Sequence, residues 1–487
     1  PEGKNVIRFL NIWYIIGNFL IALSGIMLVP LAFAFWNGND VTPLGYSCLI
    51  TSFVGISFHL VFPKPNYDLN RREALLLVCL IWFLVCLFGS LPFHFSGYFP
   101  SFTDAFFEAT SGFTATGATV LKDVEVLTLD IQLWRHLAHW LGGMGIVLLG
   151  IAILPLIGMG GMSMYRAEFS GAKSEKLKPR VTQTALALWK IYLSLSFLAF
   201  CGFYLMGMNV FDSICHTFTV VATGGFSTRT ASLGAFQNSG VEYVAIFFMV
   251  LSGMNFTLHY RLWIELKLKR FFLDAELKIY FLILILSSLL VFSVMSLTNQ
   301  YSAEFGFRRA LFQVVSILTT TGLTTDNFSL WLPFPQLILL VLMFIGGCTG
   351  STSGGLKVSR ILLLGKVVSR EFKRMVERRG VFPIKVGRQF ISEETLQSLL
   401  NLFYLAFLIN VVSCLLLAAS GVDVFTSIAA VAASMFNIGP GLGSVGPTEG
   451  YGKLPELAKW ILSFCMLSGR LEFFTAIVIF TPGFWKK

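Results

Sequence analysis

The chain has 487 residues, of which 55% are hydrophobic and 13% are charged, and its formal net charge at pH 7 is +10. Soluble proteins carry roughly 25% charged residues, so this composition excludes an ordinary soluble protein. The 36 Lys and Arg residues are spread over separate segments, which argues against a nucleic-acid-binding surface and predicts no nucleic-acid partner.

Long uncharged stretches predict membrane spans along the whole chain. Nine stretches lack Asp, Glu, Lys and Arg, and each is long enough to cross a bilayer as a helix, which takes roughly 17–25 residues. They are 9–39, 41–63, 74–103, 136–165, 191–211, 243–260, 279–303, 327–356 and 395–422. A tenth stretch, 457–480, would qualify but carries Arg470 and Glu472 near its centre. The sequence therefore predicts an all-α polytopic membrane protein with about ten spans.

The distribution of basic residues predicts the orientation of these spans. With the N-terminus in the cytosol, the inner segments hold 28 of the 36 Lys and Arg residues, as the positive-inside rule requires. These segments are 1–8, 64–73, 160–190, 261–278, 357–394 and 486–487. Both termini are therefore expected to be cytosolic, with the basic charge close to anionic membrane lipid. The basic segment 357–388 is either a cytosolic connector or a docking surface for a soluble partner.

Four uncharged runs on the outer side share one pattern. They are 109–121, 213–228, 310–325 and 424–448, and each begins with a short apolar segment and ends in a polar turn around a glycine. The turn residues selected by this pattern are Thr110, Ser111 and Gly112; Thr223, Gly224 and Gly225; Thr320, Thr321 and Gly322; and Asn437, Ile438 and Gly439. The turn glycines are 113, 97 and 117 residues apart, which predicts four copies of one module.

Each module is predicted to contain a span, a short re-entrant helix, a glycine turn and a second span. The second spans also share a Gly pair or its equivalent, at Gly142-Gly143, Ser252-Gly253, Gly346-Gly347 and Ser468-Gly469. The predicted organisation is two N-terminal transmembrane helices in 1–72 and four pore repeats in 73–165, 166–268, 269–394 and 395–487. The third repeat includes the cytosolic connector. Four such membrane–pore-loop–membrane repeats are expected to surround a pseudo-fourfold pore.

The chemistry of the turns points to ion selection. Non-helical backbone at membrane depth is tolerated only where it is buried in protein or lines a water-filled cavity. Glycine relaxes the restriction on φ and ψ and removes the Cβ that would stand between the backbone and an axis. Rings of carbonyl oxygens can then replace the hydration shell of an alkali cation. The alternative, simple polar outer loops, does not explain why each run contains an apolar segment too short to cross.

The third module contains a glycine-rich break, Gly346–Gly355, within an uncharged span. Because a helix loses roughly 0.8–1 kcal/mol per glycine relative to alanine, this segment is not expected to be helical. A mobile loop below the filter would form a gate, and the alternative is a close packing seam of small residues. Lys357, at the end of the break, is expected to extend to the inner interface. Arg470 is expected to be functional, or to form an ion pair with another helix.

No arrangement of residues typical of an enzyme is present. Gly441–Gly446 fits the pattern G-x-G-x-x-G, but it follows an apolar helix in a predicted outer loop. Gly350–Lys357 resembles a phosphate loop, but Leu356 displaces the lysine by one position and the segment lies at membrane depth. His136 and His139 share a helix face without a third ligand for a metal. The sequence therefore predicts no enzyme and no bound cofactor.

These motifs resemble the Trk/Ktr/HKT superfamily of potassium transporters, and most closely its TrkH-type membrane subunits. The resemblance covers the whole chain and rests on TSGFTATG, VATGGFST, TTTGLTTDN and SGRLEFFT, together with the two extra N-terminal spans and the glycine-rich break. It implies K⁺ uptake across a bacterial inner membrane, with Rb⁺ as a substitute and K⁺ as the metal ion held at the filter residues. It also implies a homodimer and a cytosolic nucleotide-binding regulatory subunit of the TrkA type.

The resemblance also assigns individual residues. Gly112 in the first loop favours K⁺, because relatives with Ser there are associated with Na⁺ permeation. The fourth loop, at Asn437, departs from the Thr-rich form of the other three. Arg470 would project into the pore beneath the filter, setting a barrier to cations or holding the gate loop closed. The predicted gate residues are Gly346, Gly347, Gly350, Gly354, Gly355, Lys357 and Arg470.

The sequence leaves the transport mechanism open. A gated, K⁺-selective channel-like pore is the leading interpretation, and the alternative is a K⁺/H⁺ or K⁺/Na⁺ symporter with the same filter. Among the long spans, Glu472 is the acid available at depth for such coupling. A scaffold subunit would leave the four Thr/Gly loops without a purpose.

Overall fold

The structure is a computed structural model that describes residues 7–64, 69–152, 181–263, 265–266, 271, 273–297, 302–387 and 389–486. The repeat boundaries predicted at 165–166 and 268–269, and most of the predicted inner segment 160–190, lie outside the described residues.

The described residues are predominantly helical, as predicted. In chain order the α-helices are α1 (Phe9–Asn37), α2 (Thr42–Val61), α3 (Arg71–Gly89), α4 (Leu91–Phe95), α5 (Phe102–Phe113), α6 (Leu129–Ala152), α7 (Val181–Leu205), α8 (Val210–Ala222), α9 (Ser239–Ser252), α10 (Phe256–Trp263), α11 (Ala275–Leu297), α12 (Ala303–Leu318), α13 (Pro333–Ile345), α14 (Val358–Val376), α15 (Glu393–Ala419), α16 (Val424–Met435), α17 (Glu456–Arg470), α18 (Phe474–Val478) and α19 (Pro482–Trp485). Short 3₁₀ helices occur at Ser232–Phe236, Phe328–Leu330 and Gly443–Val445. One antiparallel hairpin, β1 (Lys385–Val386) with β2 (Gln389–Phe390), is a small departure from the all-α prediction.

The first two helices pack as a close hairpin. Gly38 ends α1 in the left-handed conformation, with φ of 69°, and its N–H bonds to Ala34 O and Phe35 O. Gly17 of α1 lies directly against α2, because a Cβ added to it would stand 2.8 Å from Gly55 O. Small residues at such a crossing allow two membrane helices to approach closely.

The first spans of the four repeats are α3, α7, α11 and α15. A capping box begins α3, in which Glu73 N donates to Asn70 Oδ1 at 2.8 Å and Asn70 N donates to Glu73 Oε2 at 2.9 Å. Ser392 caps α15 by accepting from Thr395 N at 3.3 Å. These caps satisfy N–H groups that a helix leaves without internal partners, and so fix where each span begins.

The re-entrant helices are α5, α8, α12 and α16, with 12, 13, 16 and 12 residues. Each is too short to cross a bilayer and is largely buried by neighbouring helices. Side-chain oxygens of Ser101, Asn209 and Asp423 cap the N-termini of α5, α8 and α16. We call these four elements the pore helices.

The second spans depart most from straight helices. In repeat 2, α9 and α10 meet at 99° around Gly253, a bend that the sequence analysis did not predict. In repeat 3, α13 stops at Ile345 and α14 begins at Val358, which confirms the predicted loss of helix in the glycine-rich segment. In repeat 4, α17 ends at Arg470, and Glu472 and Phe473 have positive φ. Within the described residues, six helices are long and apolar enough to span a membrane, or seven if α9 and α10 count as one.

Glycines in the second spans set the packing against the pore helices. A Cβ added to Gly142 in α6 would lie 1.9 Å from Phe113 O, and one added to Gly469 in α17 would lie 1.9 Å from Met435 O. Phe113 and Met435 are the last residues of their pore helices. Repeats 1 and 4 therefore use the same glycine contact to seat a pore helix against the following span.

We expect Gly142→Ala and Gly469→Ala to destabilise the protein by roughly 1–3 kcal/mol each, because the new methyl overlaps a backbone oxygen that has little freedom to move. Gly45→Ala in α2 is the matched control, since a Cβ there meets nothing within 4 Å. Thermal unfolding in detergent measures the effect. Equal unfolding temperatures for all three variants would contradict this account of the packing.

Candidate functional site

The four pore helices end in the same backbone motif. The residue after each helix, or one further on, is left-handed: Ala115 (φ 50°), Thr223 (φ 53°), Thr320 (φ 54°) and Asn437 (φ 56°). The next N–H then bonds to the carbonyl five residues back, as Thr116 N to Ser111 O at 2.8 Å, Gly224 N to Thr219 O at 2.9 Å, Thr321 N to Ser316 O at 2.8 Å and Ile438 N to Ala433 O at 2.8 Å. This is a Schellman cap, and the same cap recurs at the end of all four helices, which is consistent with the predicted modules.

The left-handed position in these caps is not occupied by glycine. Glycine or asparagine usually fills it, because a Cβ is disfavoured there and a β-branched side chain is disfavoured most. Thr223 and Thr320 nevertheless adopt this conformation, and both side chains are buried. Strained backbone of this kind persists where the surrounding structure determines it, and it concentrates at functional sites.

Glycine occupies the position two residues after each left-handed residue. These turn glycines are Gly117, Gly225, Gly322 and Gly439, with φ between 76° and 99°. A Cβ added to each would lie within 2.6 Å of a carbonyl oxygen in the following repeat: Gly224 O for Gly117, Thr321 O for Gly225, Ile438 O for Gly322 and Thr116 O for Gly439. The contacts run from repeat 1 through repeat 4 and back to repeat 1, so the four turns close a ring.

The structure corrects the register of the first loop. Thr110, Ser111 and Gly112 lie inside α5, where a Cβ on Gly112 would meet Ala138 of α6 at 3.2 Å. The place in the ring that the sequence analysis assigned to Thr110, Ser111 and Gly112 is occupied by residues 115–117. The loop contains two Gly-centred polar runs, and the helix continues through the first one.

A signal in the sequence separates these two registers. Asp104 stands near the start of α5, and Asp212 stands near the start of α8. Gly117 follows Asp104 by 13 residues, as Gly225 follows Asp212, whereas Gly112 follows Asp104 by 8. Aligning the repeats on these acids identifies Gly117.

The other three loops lie where the sequence predicts them. Thr223, Gly224 and Gly225 form the turn of repeat 2, and Thr320, Thr321 and Gly322 form that of repeat 3. Asn437, Ile438 and Gly439 form the fourth.

The fourth loop differs in sequence from the other three, and it also forms different hydrogen bonds. Its Asn437 Nδ2 donates to Thr116 Oγ1 of repeat 1 at 2.9 Å and to Met466 O at 3.0 Å. Gly439 O accepts from Tyr451 Oη at 2.7 Å. The amide and the phenol therefore support the fourth turn.

An open pocket adjoins the ring, and we call it the outer funnel because the sequence predicts that this side faces outward. All four turn glycines line one open pocket on this side of the molecule. The C-terminal ends of the four pore helices meet there, and a helix carries roughly half a negative charge at this end. The four turns contain no charged side chain of their own. The helix ends therefore contribute negative potential beside the turn glycines, which suits a cation, although Lys122, Arg135 and Arg229 also line the pocket.

The glycine-rich segment, residues 346–357, runs beneath this ring as an irregular loop, here called the gate loop. Gly346, Gly350, Gly355 and Lys357 have positive φ. Gly354 N donates to Thr320 Oγ1 at 2.6 Å, and Thr352 Oγ1 donates to Val221 O at 3.1 Å. Gly347 and Gly354 also pack closely, since a Cβ on either would lie within 2.2 Å of another atom. Thr352 Oγ1 also accepts from Thr223 Oγ1 at 3.3 Å, so the loop contacts the turns of repeats 2 and 3 directly.

Arg470 connects the gate loop to the opposite side of the ring. Arg470 is 1% exposed, and its guanidinium donates to Thr352 O of the loop and to Gly142 O of α6, both at 3.0 Å. Glu472 pairs instead with Arg360 of α14 at 2.7 Å. One arginine from the last repeat thus bridges the third repeat and the first by two backbone carbonyls.

Lys357 does not reach the inner interface as expected. It is 6% exposed, and its Nζ turns back to donate to Ser353 O of the gate loop. Its positive φ, 78°, directs the chain into α14 and keeps the side chain under the loop.

Glu276, near the start of α11, is a site residue that the sequence analysis missed. Its Oε1 accepts from Thr349 N of the gate loop at 2.7 Å and from Ser359 N of α14 at 3.0 Å. The residue is 7% exposed. Through one oxygen it ties the loop at Thr349 to the first turn of α14, and nothing local in the sequence near 276 indicates this contact.

Comparison with known proteins agrees with this architecture. The sequence model of the TrkH family, described as a cation transport protein, matches residues 47–487. The Trk system potassium uptake protein TrkH of Halomonas elongata is 40% identical over 99% of both chains. Its counterpart in Escherichia coli K12 is also 40% identical, over 99% of this chain and 100% of the relative. The crystal structure of the potassium transporter TrkH from Vibrio parahaemolyticus superposes with a TM-score of 0.91, at 38% identity, and covers 99% of this chain and 100% of that one. The chain therefore belongs to the TrkH family of cation transport proteins.

Proposed function

We propose that this chain takes up K⁺ across the bacterial inner membrane through a gated, K⁺-selective pore. The observation that carries the proposal is the ring of four turn glycines, closed around the floor of the outer funnel by four identically capped pore helices. The relatives named as potassium uptake proteins support the choice of ion. The transported K⁺ is the substrate, and no cofactor takes part.

The proposed filter consists of the tripeptides 115–117, 223–225, 320–322 and 437–439. A K⁺ ion entering from the funnel loses water and must find oxygen atoms in exchange. The carbonyls next to the turn glycines supply those oxygens, and the helix C-termini add negative potential at the same depth. Because glycine removes the Cβ from this narrow ring, the backbone approaches the ion from all four repeats.

The proposed gate is the loop at 346–357 together with Arg470. In the closed arrangement the loop lies against the filter turns, and the Arg470 guanidinium holds it from the opposite side. A cation leaving the filter would meet this fixed positive charge. Opening requires the hydrogen bond from Arg470 to Thr352 O to break. A pull on α14 would break it, because α14 begins where the loop ends.

The proposed partners act through the cytosolic side. Exposed apolar and basic residues share the end of α14, including Phe372, Lys373, Arg374 and Met375. This surface suits a cytosolic nucleotide-binding regulator of the TrkA type, in keeping with the Trk system to which the named relatives belong. The proposal includes a homodimer, with both termini of each chain in the cytosol.

Passive flow is favoured over proton-coupled symport. Coupling to H⁺ requires an acid at membrane depth that is free to exchange a proton. Glu472 is engaged by Arg360, and Glu276 accepts two backbone N–H groups. These contacts hold both carboxylates in structural roles.

The two registers of the first loop make opposite predictions. Gly117→Ala should reduce Rb⁺ uptake by about tenfold or more, since a left-handed backbone costs an L-residue roughly 1–2 kcal/mol and the new Cβ would lie 2.3 Å from Gly224 O. Gly112→Ala in the same loop is the control and should retain most activity. The assay is Rb⁺ tracer uptake into proteoliposomes driven by an outward K⁺ gradient, without H⁺ or Na⁺ gradients. Loss of uptake in Gly112→Ala alone would restore the other register, and uptake that requires an H⁺ or Na⁺ gradient would establish symport.

Arg470 variants separate a charge barrier from a mechanical latch. Arg470→Gln should raise Rb⁺ uptake in the absence of any partner by about tenfold, because charge-assisted hydrogen bonds are each worth roughly 1.5–3 kcal/mol. Arg470→Lys keeps the charge but cannot span two carbonyls. Low uptake in this variant would indicate that the positive charge is a barrier to cations, and raised uptake would indicate that the two hydrogen bonds hold the loop closed. Arg308→Gln, which alters a buried arginine paired with Glu242 away from the loop, should not raise uptake. Unchanged uptake in both Arg470 variants would rule out a role for Arg470 in gating.

Glu276 should restrain the gate loop. In Glu276→Ala the neighbouring Cys348, which is 1% exposed, should be alkylated by a maleimide about tenfold faster, because two hydrogen bonds to a charged group are lost. Glu276→Gln should fall between wild type and Ala, since both N–H groups bond to one oxygen that an amide retains. Peptide mass spectrometry follows each cysteine, and Cys215 in α8 serves as the internal control. Equal Cys348 rates in all three proteins would show that Glu276 does not hold the loop.

A further inference from the structure

A buried ion pair lies directly behind two of the turns. Glu108 of α5 and Arg135 of α6 are 0% and 1% exposed, and Arg135 Nε lies 2.6 Å from Glu108 Oε1. Two charges are removed from water only at a large cost, which geometry and further hydrogen bonds must offset. The remaining contacts of the two side chains show what the pair holds.

Glu108 binds the strand that follows the first turn. Its Oε1 accepts from Thr119 Oγ1 at 2.9 Å and its Oε2 accepts from Val120 N at 3.0 Å. These residues follow the turn glycine Gly117 by two and three positions. The carboxylate therefore fixes the path of the backbone as it leaves the turn of repeat 1.

Arg135 binds the strand that follows the second turn. Its Nη1 donates to Ser227 O at 3.1 Å, and its guanidinium lies 3.4 Å from the centre of the Phe226 ring. Phe226 directly follows the turn glycine Gly225. Its ring also stacks on that of His139 in α6, with ring centres 4.0 Å apart. The pair as a whole thus joins the segments of chain that leave the turns of repeats 1 and 2, which we call the exit strands.

This arrangement is confined to one side of the ring. Seven residues before each left-handed residue, the pore helices carry Glu108, His216, Gln313 and Ala430. His216 Nε2 contacts Ser227 Oγ at 2.9 Å, and Gln313 Nε2 donates to Thr325 Oγ1 at 3.5 Å. The position therefore serves the exit strand in three repeats, but in repeat 1 it does so with a charge whose partner reaches into repeat 2.

We infer that Glu108 and Arg135 are positioning residues that determine ion selectivity by fixing the spacing between the turns of repeats 1 and 2. This inference rests on the proposed filter. Both side chains act through the turns that they hold. Discrimination between K⁺ and Na⁺ depends on how closely carbonyl groups follow an ion of given size, so restraining the exit strands of two adjacent turns limits their collapse onto the smaller ion.

The test is competition by Na⁺ and by K⁺ against Rb⁺ uptake in proteoliposomes that contain the full chain. The readout is the ratio of the Na⁺ and K⁺ concentrations that halve uptake, a quantity that does not depend on the amount of folded protein. Glu108→Gln should lower this ratio by about tenfold, which corresponds to 1.4 kcal/mol of lost discrimination. Arg135→Lys retains the ion pair without the second arm to Ser227 O, and its ratio should lie between those of Glu108→Gln and wild type.

Glu242→Gln is the matched control. Glu242 of α9 is also a buried acid that joins two repeats, through Arg308 of α12 at 3.1 Å, and it should leave the selectivity ratio unchanged. If Glu108→Gln fails to fold, the double variant Glu108→Gln/Arg135→Gln avoids a buried unpaired charge, and thermal stabilisation by K⁺ relative to Na⁺ in detergent replaces the flux assay.

Each outcome bears on a different proposal. An unchanged ratio in folded Glu108 and Arg135 variants would overturn the inference, provided that Gly117→Ala alters the ratio in the same assay. An unchanged ratio in Gly117→Ala as well would overturn the proposed filter itself. A lowered ratio in Glu242→Gln equal to that in Glu108→Gln would show a general effect of removing buried acids rather than positioning by this pair.

Discussion

The hydrogen bond that ends each pore helix is the interaction on which the structure depends. Irregular backbone at membrane depth must have its N–H and C=O groups satisfied within the protein. The bond from the residue after the left-handed position to the carbonyl five residues back does this at the point where the helix stops. The chain is then free to turn, so the helix C-terminus faces the ring while the next residues run outward. Without this bond the turn glycines would have no fixed place against the neighbouring repeat.

A common backbone is held by a different set of side chains in each repeat. The side chains that support a turn, or the strand that leaves it, differ from repeat to repeat. They are Glu108 with Arg135 in repeat 1, His216 in repeat 2, Gln313 with Ser316 in repeat 3 and Tyr451 in repeat 4. The fourfold likeness is therefore a property of the main chain. Because the supports differ in charge and stiffness, the four turns are not equally restrained, and an ion in the ring would meet an asymmetric site. Four copies of one module leave room for such divergence, since the caps preserve the geometry.

Much of the fold follows from the sequence, and the parts that do not follow have physical reasons. Long uncharged stretches predict the spans, and the five glycines of Gly346–Gly355 predict the interruption that is observed. The bend at Gly253 was not predicted, because a single glycine is compatible with a helix and the 99° turn is held by backbone hydrogen bonds to the distant gate loop, from Cys348 N to Gly253 O and from Phe256 N to Gly350 O. In the first loop, Gly112 and Gly117 lie in equally polar surroundings, and they are distinguished by the length of α5, which the spacing from Asp104 also indicates. Glu276 and the Glu108–Arg135 pair escaped notice because their partners are distant in sequence.

The contacts between the gate loop and the turns connect the proposed gate directly to the proposed filter. Thr320, whose left-handed backbone begins the third turn, receives a hydrogen bond from Gly354 N of the gate loop, and Thr223 in the second turn donates to Thr352 Oγ1 at 3.3 Å. The loop therefore shares bonds with the strained residues of the proposed filter. If the loop moves, these two threonines lose partners on the side away from the funnel, and the exit strands on the other side must maintain the turns alone. In the proposed mechanism, a rigid ion pair behind the turns of repeats 1 and 2 would matter most when the gate is open, because only then would ions pass and have to be distinguished.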